Sequence, residues 1–308
     1  MKSDTEQACG PWPWLDARTY YIGRWGRPVG RVGVDGGFSC PNRGPDRHSA
    51  GCAFCSEEGN RPPYQAGATD LGDQIAQAKS FLSQRYSTEL FSLYFQSFSS
   101  TWAPVPTLGQ IYDQALSRGP FVDLTVATRP DCLPDDVADL LAGYINPSRE
   151  VWVEVGLQSS RDETLHRVRR GHSARDFQIA AARLRARNLP FTAHVMYGLP
   201  GEEKDQFLET VRFALAEGAS GLKFHDLILV PGTPLHRQWQ DGNLSPVDPS
   251  AYLEAVAEAL VLLPPGVVVW RVASDPENRK SQPPPGEKWS KNRFLNRLKA
   301  EVNKRRAL

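Results

Sequence analysis

The chain has 308 residues, of which 40% are apolar and 23% are charged, and these values are ordinary for a folded soluble protein. The absence of an eighteen-residue apolar run and of an apolar leader after Met1 argues against a membrane span or a secretory signal, so we expect a cytoplasmic protein. The net charge is only +1, but residues 279–308 carry ten Lys or Arg against two Glu. That segment is therefore +8 and the remainder −7, an asymmetry that indicates a polyanionic partner.

Short apolar runs alternate along the chain with longer amphipathic stretches. Runs rich in β-branched or aromatic residues predict six buried parallel strands, at 31–35, 91–96, 122–128, 151–157, 191–197 and 222–230. Helices are predicted at 71–86, 134–144, 174–188 and 203–218. Six βα units in succession predict an α/β fold with a parallel sheet and helices outside it. Both a partial barrel and a doubly wound sheet fit this pattern.

The two ends of the chain differ in composition from its centre. Residues 1–30 are predicted to form an N-terminal extension and residues 31–275 the α/β domain, to which 267–272 would add a seventh strand. Three consecutive prolines within 276–308 predict a linker that leads to a basic C-terminal helix over 291–306. In such a sheet, chemistry is expected at the carboxyl ends of the strands.

Three of the five cysteines lie within sixteen residues, directly after the first predicted strand. Cys40 follows that strand, and Cys52 and Cys55 form a CxxC motif. In a reducing compartment this grouping indicates metal binding rather than disulfides. Three thiolates can hold three corners of an iron–sulfur cubane and leave the fourth iron open to a chelating ligand. A structural zinc site completed by His48 fits the spacing as well, although a loop at the mouth of a βα array favours the cluster.

Six segments, each near a predicted strand end, together resemble a known family. They read GRVGVDGGFSCPNR with GCAFC, YFQSFSSTWAP, VATRPDCLPDDV, WVEVGLQSSRDETLHRVRRGH, HVMYGLPGE and GLKFHDLILVPGTPL. In this order they resemble the radical S-adenosylmethionine (SAM) superfamily, and within it the bacterial YhcC/YtqA-like proteins related to the catalytic subunit of Elongator. The long gap between Cys40 and Cys52 is also what this family shows.

The resemblance implies a partial (β/α)6 TIM-like barrel of the radical SAM type, with a 4Fe-4S cluster on Cys40, Cys52 and Cys55 and SAM on the open iron. The residues that it implies for contact with SAM are Phe54, Gln96, Ser97, Glu154, Gln158, Arg170 and His194. The Gly-Gly-Glu sequence usual after the second strand is absent at Gln96-Ser97. Ala127 stands where Elongator-type relatives carry Glu.

Candidate catalytic residues near the substrate are Cys132 and Lys223. Cys132 would donate hydrogen or anchor the substrate, the alternative being a buried free cysteine. Lys223 inside a barrel needs a charged partner, which is either Glu154 or a carboxylate of the substrate. His225, on the same predicted strand as Lys223, is expected to be a core histidine.

The resemblance also implies a reaction, the reductive cleavage of SAM to a 5′-deoxyadenosyl radical. Relatives are associated with the wobble-uridine side chains of tRNA, including trimming of carboxymethylaminomethyl towards aminomethyl. We therefore expect tRNA as the substrate and an electron donor such as flavodoxin or ferredoxin, and the resemblance leaves room for a partner methyltransferase. The candidate RNA contacts are Trp289 and Phe294 in the basic C-terminal segment and Arg24, Arg27 and Arg31 near the N-terminus. Two alternatives stay open: a radical SAM enzyme acting on a small metabolite or protein, and a non-enzymatic zinc-stabilised binding module.

Overall fold

The computed structural model describes residues 12–45, 47, 51–55, 68, 70–273 and 289–307. His48 and the predicted proline linker lie outside the described residues. Within them, one parallel sheet contains seven strands. These are β1 (Val29–Val34), β2 (Leu90–Phe95), β3 (Asp123–Thr128), β4 (Glu150–Gln158), β5 (Phe191–Tyr197), β6 (Gly221–Asp226) and β7 (Val268–Arg271).

The strands lie side by side in chain order, from β1 at one edge of the sheet to β7 at the other. A doubly wound sheet reverses its strand order at a switch point. A chain that always adds its next strand at the same edge, through right-handed crossovers, keeps all its helices on one face. The twisted sheet then curls with those helices outside. The structure is thus a half-barrel, which confirms the predicted partial barrel, and β7 is the predicted seventh strand.

The sixth strand is shorter than predicted, because β6 ends at Asp226 rather than at residue 230. Leu227 and Leu229, which follow it, are buried in a small apolar cluster with Leu199 and Leu235. The run is apolar because it covers the carboxyl end of the barrel, and not because it continues the sheet.

Several helices begin at residues whose side chains satisfy their free N–H groups. They are α1 (Ala17–Trp25), α2 (Leu71–Tyr86), α3 (Val105–Leu116), α4 (Asp135–Ala142), α5 (Asp162–Arg167), α6 (Ala174–Ala186), α7 (Lys204–Ala216), α8 (Pro234–Gln240), α9 (Pro249–Val261) and α10 (Lys291–Arg306). Asp70 caps α2, and Ser173 with Asp176 forms a capping box on α6. The prolyl start predicted for α4 is off by one residue, since Pro134 is its N-cap.

Side chains alternate between the two faces of each strand, and this alternation separates an apolar layer from a polar one. On β4, Val153 and Val155 belong to the core between the sheet and the helices, where both are nearly inaccessible. Glu154 lies between them on the opposite face, inside the barrel. The inner face of the sheet therefore carries the functional groups described below.

The C-terminal helix lies where the sequence predicts it and packs on α9. Phe294 stacks on Tyr252 with ring centroids 5.6 Å apart, and Leu298 and Val302 are fully buried. At the other end of the chain, Asp16 pairs with Val269 in a parallel bridge, so the N-terminal segment runs along the β7 edge. Within the described ranges, the helices are too short or too polar to cross a membrane.

Candidate active site

The cysteine loop follows β1 and lies at the carboxyl end of the barrel. Cys52 is 2% exposed, whereas Cys40 and Cys55 are half-buried, and all three thiols are free of disulfides. The N–H of Cys55 donates to the carbonyl of Cys52 (3.1 Å), and the N–H of Ala53 donates to the carbonyl of Val168 (2.9 Å). These bonds tie the CxxC turn to the segment that follows α5.

The Cys52 sulfur lies among nitrogen donors. Asn42 Nδ2 approaches Cys52 Sγ to 3.3 Å and Arg170 Nη1 approaches it to 3.5 Å. A hydrogen bond from Cys55 and the charges of Arg170 and Arg129 hold the pKa of Cys52 well below its usual range. The same hydrogen bond, together with burial, raises the pKa of Cys55. The arrangement favours a thiolate at Cys52, which is the form that ligates iron.

Two buried arginines lie beside this sulfur. Whether their positive charges are compensated indicates whether an anionic cluster fits the loop. Arg170 is 8% exposed and donates to Gly156 O (3.0 Å), His172 Nε2 (3.0 Å) and Cys52 Sγ. In the part of the chain that the structure describes, it forms no ion pair with a carboxylate. Arg129 is buried too; it pairs with Asp131 at 2.7 Å, and its Nη1 has no hydrogen-bond partner. A buried guanidinium without a counter-charge is unfavourable, and the negative charge of a thiolate-bound cluster would compensate it.

The described part of the cysteine loop, which does not include His48, differs from a site for a single metal ion. Across the described ranges, no three His, Cys, Asp or Glu side chains converge on one point that could hold such an ion. A cubane offers a different iron to each thiolate, so its ligands need not converge on one point. The donor set therefore fits a three-cysteine cluster.

The ends of β2 and β4 supply the predicted polar contacts. Gln158 has φ 72° at an irregularity in the pairing of β4 with β5, and its buried Oε1 lacks a hydrogen-bond partner. Gln96 lines a cavity described below, and Ser97 is buried with its carbonyl accepting from Ser100 Oγ (3.2 Å). Phe54 packs against the apolar cluster at the mouth. The orphaned amide oxygen of Gln158 is the one best suited to a polar ligand.

Glu154 is the centre of a network inside the barrel. Its Oε1 accepts from Arg31 Nη2 at 2.8 Å. Its Oε2 accepts from Tyr94 Oη (2.6 Å) and Lys223 Nζ (2.7 Å) and lies 2.9 Å from His194 Nε2. Burial alone would raise the pKa of Glu154, but the charges of Lys223 and Arg31 hold it well below its usual range. The carboxylate is thus ionised and shared by four side chains.

The pKa values of the nitrogen bases around Glu154 are lowered as well. Burial, opposed by the charge of Glu154, lowers the pKa of Lys223 to about 7. Burial and the charge of Lys223 lower the pKa of His194 to about 4. His225, whose ring centroid is 5.1 Å from that of His194, has its pKa lowered by burial, and its Nε2 lacks a hydrogen-bond partner. Both histidines are therefore neutral at pH 7.

Cys132 lies on the side of the cysteine loop, where its thiol interacts electrostatically with Cys40, whereas Lys223 lies with Tyr94 and Glu154. It ends a 3-10 turn, Pro130–Cys132, and is 4% exposed. Burial raises the pKa of its thiol to about 11, so the thiol is protonated at neutral pH. The structure thus separates the two predicted catalytic residues, and it joins Lys223 to the predicted SAM contacts Glu154 and His194.

Three residues near these sites were missed or misassigned by sequence reasoning. Asn42 lies in the CPNR segment and Arg129 lies in the TRPD segment. Both segments were identified as motifs from the sequence, but neither side chain was given a role. Arg31 was grouped with Arg24 and Arg27 as a candidate contact for a phosphate-rich partner, and its place beside Glu154 was not foreseen. Arg31 pairs with Glu154 inside the barrel, while Arg24 pairs with Glu150 and Arg27 with Glu89.

Comparison with known proteins agrees with this geometry. The family model "Radical SAM superfamily" matches residues 46–214, and "Radical_SAM C-terminal domain" matches residues 219–304. Protein YhcC of Escherichia coli K12 is 35% identical over 251 residues, which cover 82% of this chain and 80% of that protein. Uncharacterized protein YtqA of Bacillus subtilis is 34% identical, with 82% and 78% covered.

A solved structure shares the fold. The archaeal Elp3 of Methanocaldococcus infernus, with an N-terminal deletion, superposes with a TM-score of 0.65 at 18% identity. The match covers 90% of this chain but only 63% of that one. On the family match, its relatives and this fold, the chain is a member of the radical SAM superfamily.

Proposed function

We propose that this chain binds a 4Fe-4S cluster through Cys40, Cys52 and Cys55, cleaves SAM reductively and modifies the wobble-uridine side chain of tRNA. The observation that carries the first part is the contact of Arg170 with Cys52 (3.5 Å), made by a buried guanidinium that lacks a carboxylate partner in the described ranges. When bound, the reduced cluster would supply the one electron that cleaves SAM to methionine and a 5′-deoxyadenosyl radical, which would remove hydrogen from an unactivated C–H bond.

The residues around the loop prepare it for this role. Asn42 and Arg170 orient the Cys52 sulfur, and Asn42 Nδ2 also donates to the carbonyl of Arg169 at 2.7 Å, which fixes its amide. Gln158 Oε1 is available as a hydrogen-bond acceptor for the amine or a ribose hydroxyl of SAM. The apolar mouth cluster with Phe54 excludes water from this region, and water exclusion protects reactive intermediates.

Lys223 is the candidate for handling the substrate. Its Nζ is held by Glu154 (2.7 Å) and Tyr94 Oη (2.8 Å) on the inner face of the barrel. With a pKa of about 7, this amine exchanges a proton readily near neutral pH. It can therefore bind an anionic substrate group in its charged form, or accept a proton in its neutral form.

Helix α10 supports the choice of tRNA. One face of the helix is buried on α9, where Arg305 pairs with Glu258 (3.5 Å), and most of its other cationic side chains are exposed. Arg297 stacks over Trp289 at 4.4 Å, while Lys304 and Arg306 make no ion pair with a described carboxylate. Cations interleaved with an aromatic ring suit an RNA backbone. Because Phe294 and Leu298 are core residues, deleting the helix would unfold the protein, and charge reversal is the sounder test.

The cluster is tested by anaerobic reconstitution with iron, sulfide, SAM and a strong reductant. We expect 5′-deoxyadenosine from the wild type and none from Cys52→Ala, whereas Cys132→Ala should keep the visible absorbance of the cluster. Cluster loss in Cys132→Ala alone would overturn the assignment. An acidic flavodoxin or ferredoxin, as the proposed electron donor, should replace the chemical reductant.

The substrate is tested by mass spectrometry of tRNA nucleosides from a deletion strain. We expect a wobble-uridine precursor to accumulate and to disappear when the wild-type gene, but not the Cys52→Ala variant, is restored. If SAM cleavage is intact while the nucleosides are unchanged, a small-molecule or protein substrate replaces tRNA. If a methylated product is also lost, a partner methyltransferase acting after this enzyme is supported.

A further inference from the structure

A cavity of about 430 Å³ lies at the open seam of the half-barrel, where the edge strands β1 and β7 would meet in a closed barrel. Its walls come from β1, β2, β6 and β7, from the N-terminal segment and from the start of α10. Its volume falls in the range of small-ligand sites, about 300–1,000 Å³. Arg31 and Lys223 line it, so it reaches the polar network around Glu154.

Aromatic rings form much of this wall. Trp12 and Trp14 stack on each other with centroids 5.3 Å apart and an interplanar angle of 19°. A cation also lies over aromatic rings in this wall. The Arg31 guanidinium is 4.0 Å from the centroid of the Tyr94 ring and 4.8 Å from that of the Trp270 ring. Flat apolar surfaces beside cations are suited to a planar heterocycle.

The charge of the lining is positive. The described lining residues include the cations Arg31, Lys223, Arg271 and Lys291, against one acid, Asp16. The Asp16 carboxylate already caps α1, because its Oδ1 accepts a hydrogen bond from the N–H of Thr19 (2.9 Å). Glu154, behind the wall, is shared by Arg31 and Lys223. Arg271 is exposed and forms no ion pair with any described carboxylate, so it adds a positive charge to the lining.

The cavity is continuous with the basic helix. Lys291 and Leu295 of α10 belong to its lining, and one turn further on Lys299 Nζ lies 5.9 Å from the Trp12 ring. A polyanion that follows α10 is thereby led to the seam. A phosphate near Lys291 and Arg271 would leave its attached base within reach of the tryptophans.

We propose that the seam cavity receives one nucleotide of the RNA substrate, with its base against Trp12 and its phosphate on Arg271 and Lys291. The nucleotide enters the barrel laterally, between β1 and β7, and its reacting group faces Lys223. This assignment rests on the proposed function, in that it takes RNA as the substrate, and it adds where and in which orientation the RNA enters.

The test uses the full chain with its cluster reconstituted and a short RNA hairpin that carries 4-thiouridine in its loop. After irradiation, we expect cross-linked peptides from residues 12–16 or 268–271. Arg271→Glu and Trp12→Leu should each weaken RNA binding about tenfold or more. Arg271→Lys, which keeps the charge, should retain most of it. Arg212→Glu on α7 is the charge-matched control and should bind like the wild type; circular dichroism verifies that each variant is folded.

The outcomes separate the two proposals. If the hairpin binds the wild type but cross-links only elsewhere, and Arg271→Glu binds as well as Arg212→Glu, the seam assignment is overturned while an RNA substrate stands. If neither the hairpin nor tRNA binds the wild type, both proposals fail.

Discussion

Glu154 Oε2 and Lys223 Nζ are 2.7 Å apart in the interior of the half-barrel, with 1% and 6% of their side chains exposed. Arg31 completes the set from β1 at 2.8 Å from Glu154 Oε1. Two cations around one carboxylate leave a net positive charge next to a cavity, and such an arrangement is better suited to binding an anion than to stabilising the fold. The network therefore connects the core of the barrel with the proposed substrate site.

Removing the shared carboxylate should destabilise the protein strongly. Glu154→Gln leaves buried Lys223 and half-buried Arg31 beside a neutral amide, and we expect the free energy of unfolding to fall by about 3–5 kcal/mol. Urea unfolding followed by circular dichroism measures it. Glu89→Gln breaks the exposed pair with Arg27 and should change little. Equal effects of the two substitutions would contradict the buried network.

Arg170 should matter to the cluster rather than to the fold. Arg170→Gln removes the positive charge beside Cys52, and we expect the affinity for the proposed cluster to fall about 10–100-fold, as for other groups that support metal ligands. Iron and sulfide content after anaerobic reconstitution measures the loss. Arg169→Gln changes the neighbouring exposed side chain and serves as the matched control. Normal loading of Arg170→Gln would count against the compensation of charge argued above.

Gly156 offers a way to move Arg170 without changing any charge. A methyl group at this position would lie 2.3 Å from Arg170 Nη2, so the guanidinium must shift away from its contact with Cys52. We expect Gly156→Ala to lower cluster loading in the same direction as Arg170→Gln. Gly109→Ala, whose methyl would meet nothing closer than 3.8 Å, should load normally. If Gly156→Ala and Gly109→Ala load the cluster equally well, the position of Arg170 does not matter for loading.

His194 should make stability depend on pH below neutrality. Its pKa is about 4 in the folded protein, against 6.5 in the unfolded chain, so the unfolded chain takes up the proton first as the pH falls. The neutral imidazole therefore contributes roughly 3 kcal/mol to the free energy of unfolding above pH 6.5. This contribution is lost as the pH falls from about 6.5 to 4. The charged or titratable groups facing it are Glu154, Lys223, His225 and Arg271.

Denaturant unfolding between pH 7 and 4 tests this. The difference in stability between the wild type and His194→Asn should shrink as the pH falls through that window, because the variant lacks the titration. The same substitution at exposed His166 provides the comparison. A difference that stays constant with pH would show that His194 is not the responsible group.

Much of this protein could be predicted from local sequence. Strand and helix positions follow from periodicity and capping residues, since these depend on neighbours along the chain, and β5 and α2 end where predicted. The cysteine loop was located because its three cysteines lie close together in sequence. The extent of β6 was overestimated, since an apolar run looks the same whether it pairs in a sheet or packs over the barrel mouth.

The sequence by itself determined the α/β class, the succession of strands along the chain and the position of the three-cysteine loop. Each of these depends on patterns a few residues long. Only the tertiary structure decided that Arg31 faces inward to Glu154, 123 residues away, and that Lys223, 69 residues from the same carboxylate, joins it. These pairs form because the sheet is curled, and the curl brings the inner faces of β1, β4 and β6 together. No local pattern records which distant strand a charged side chain will meet.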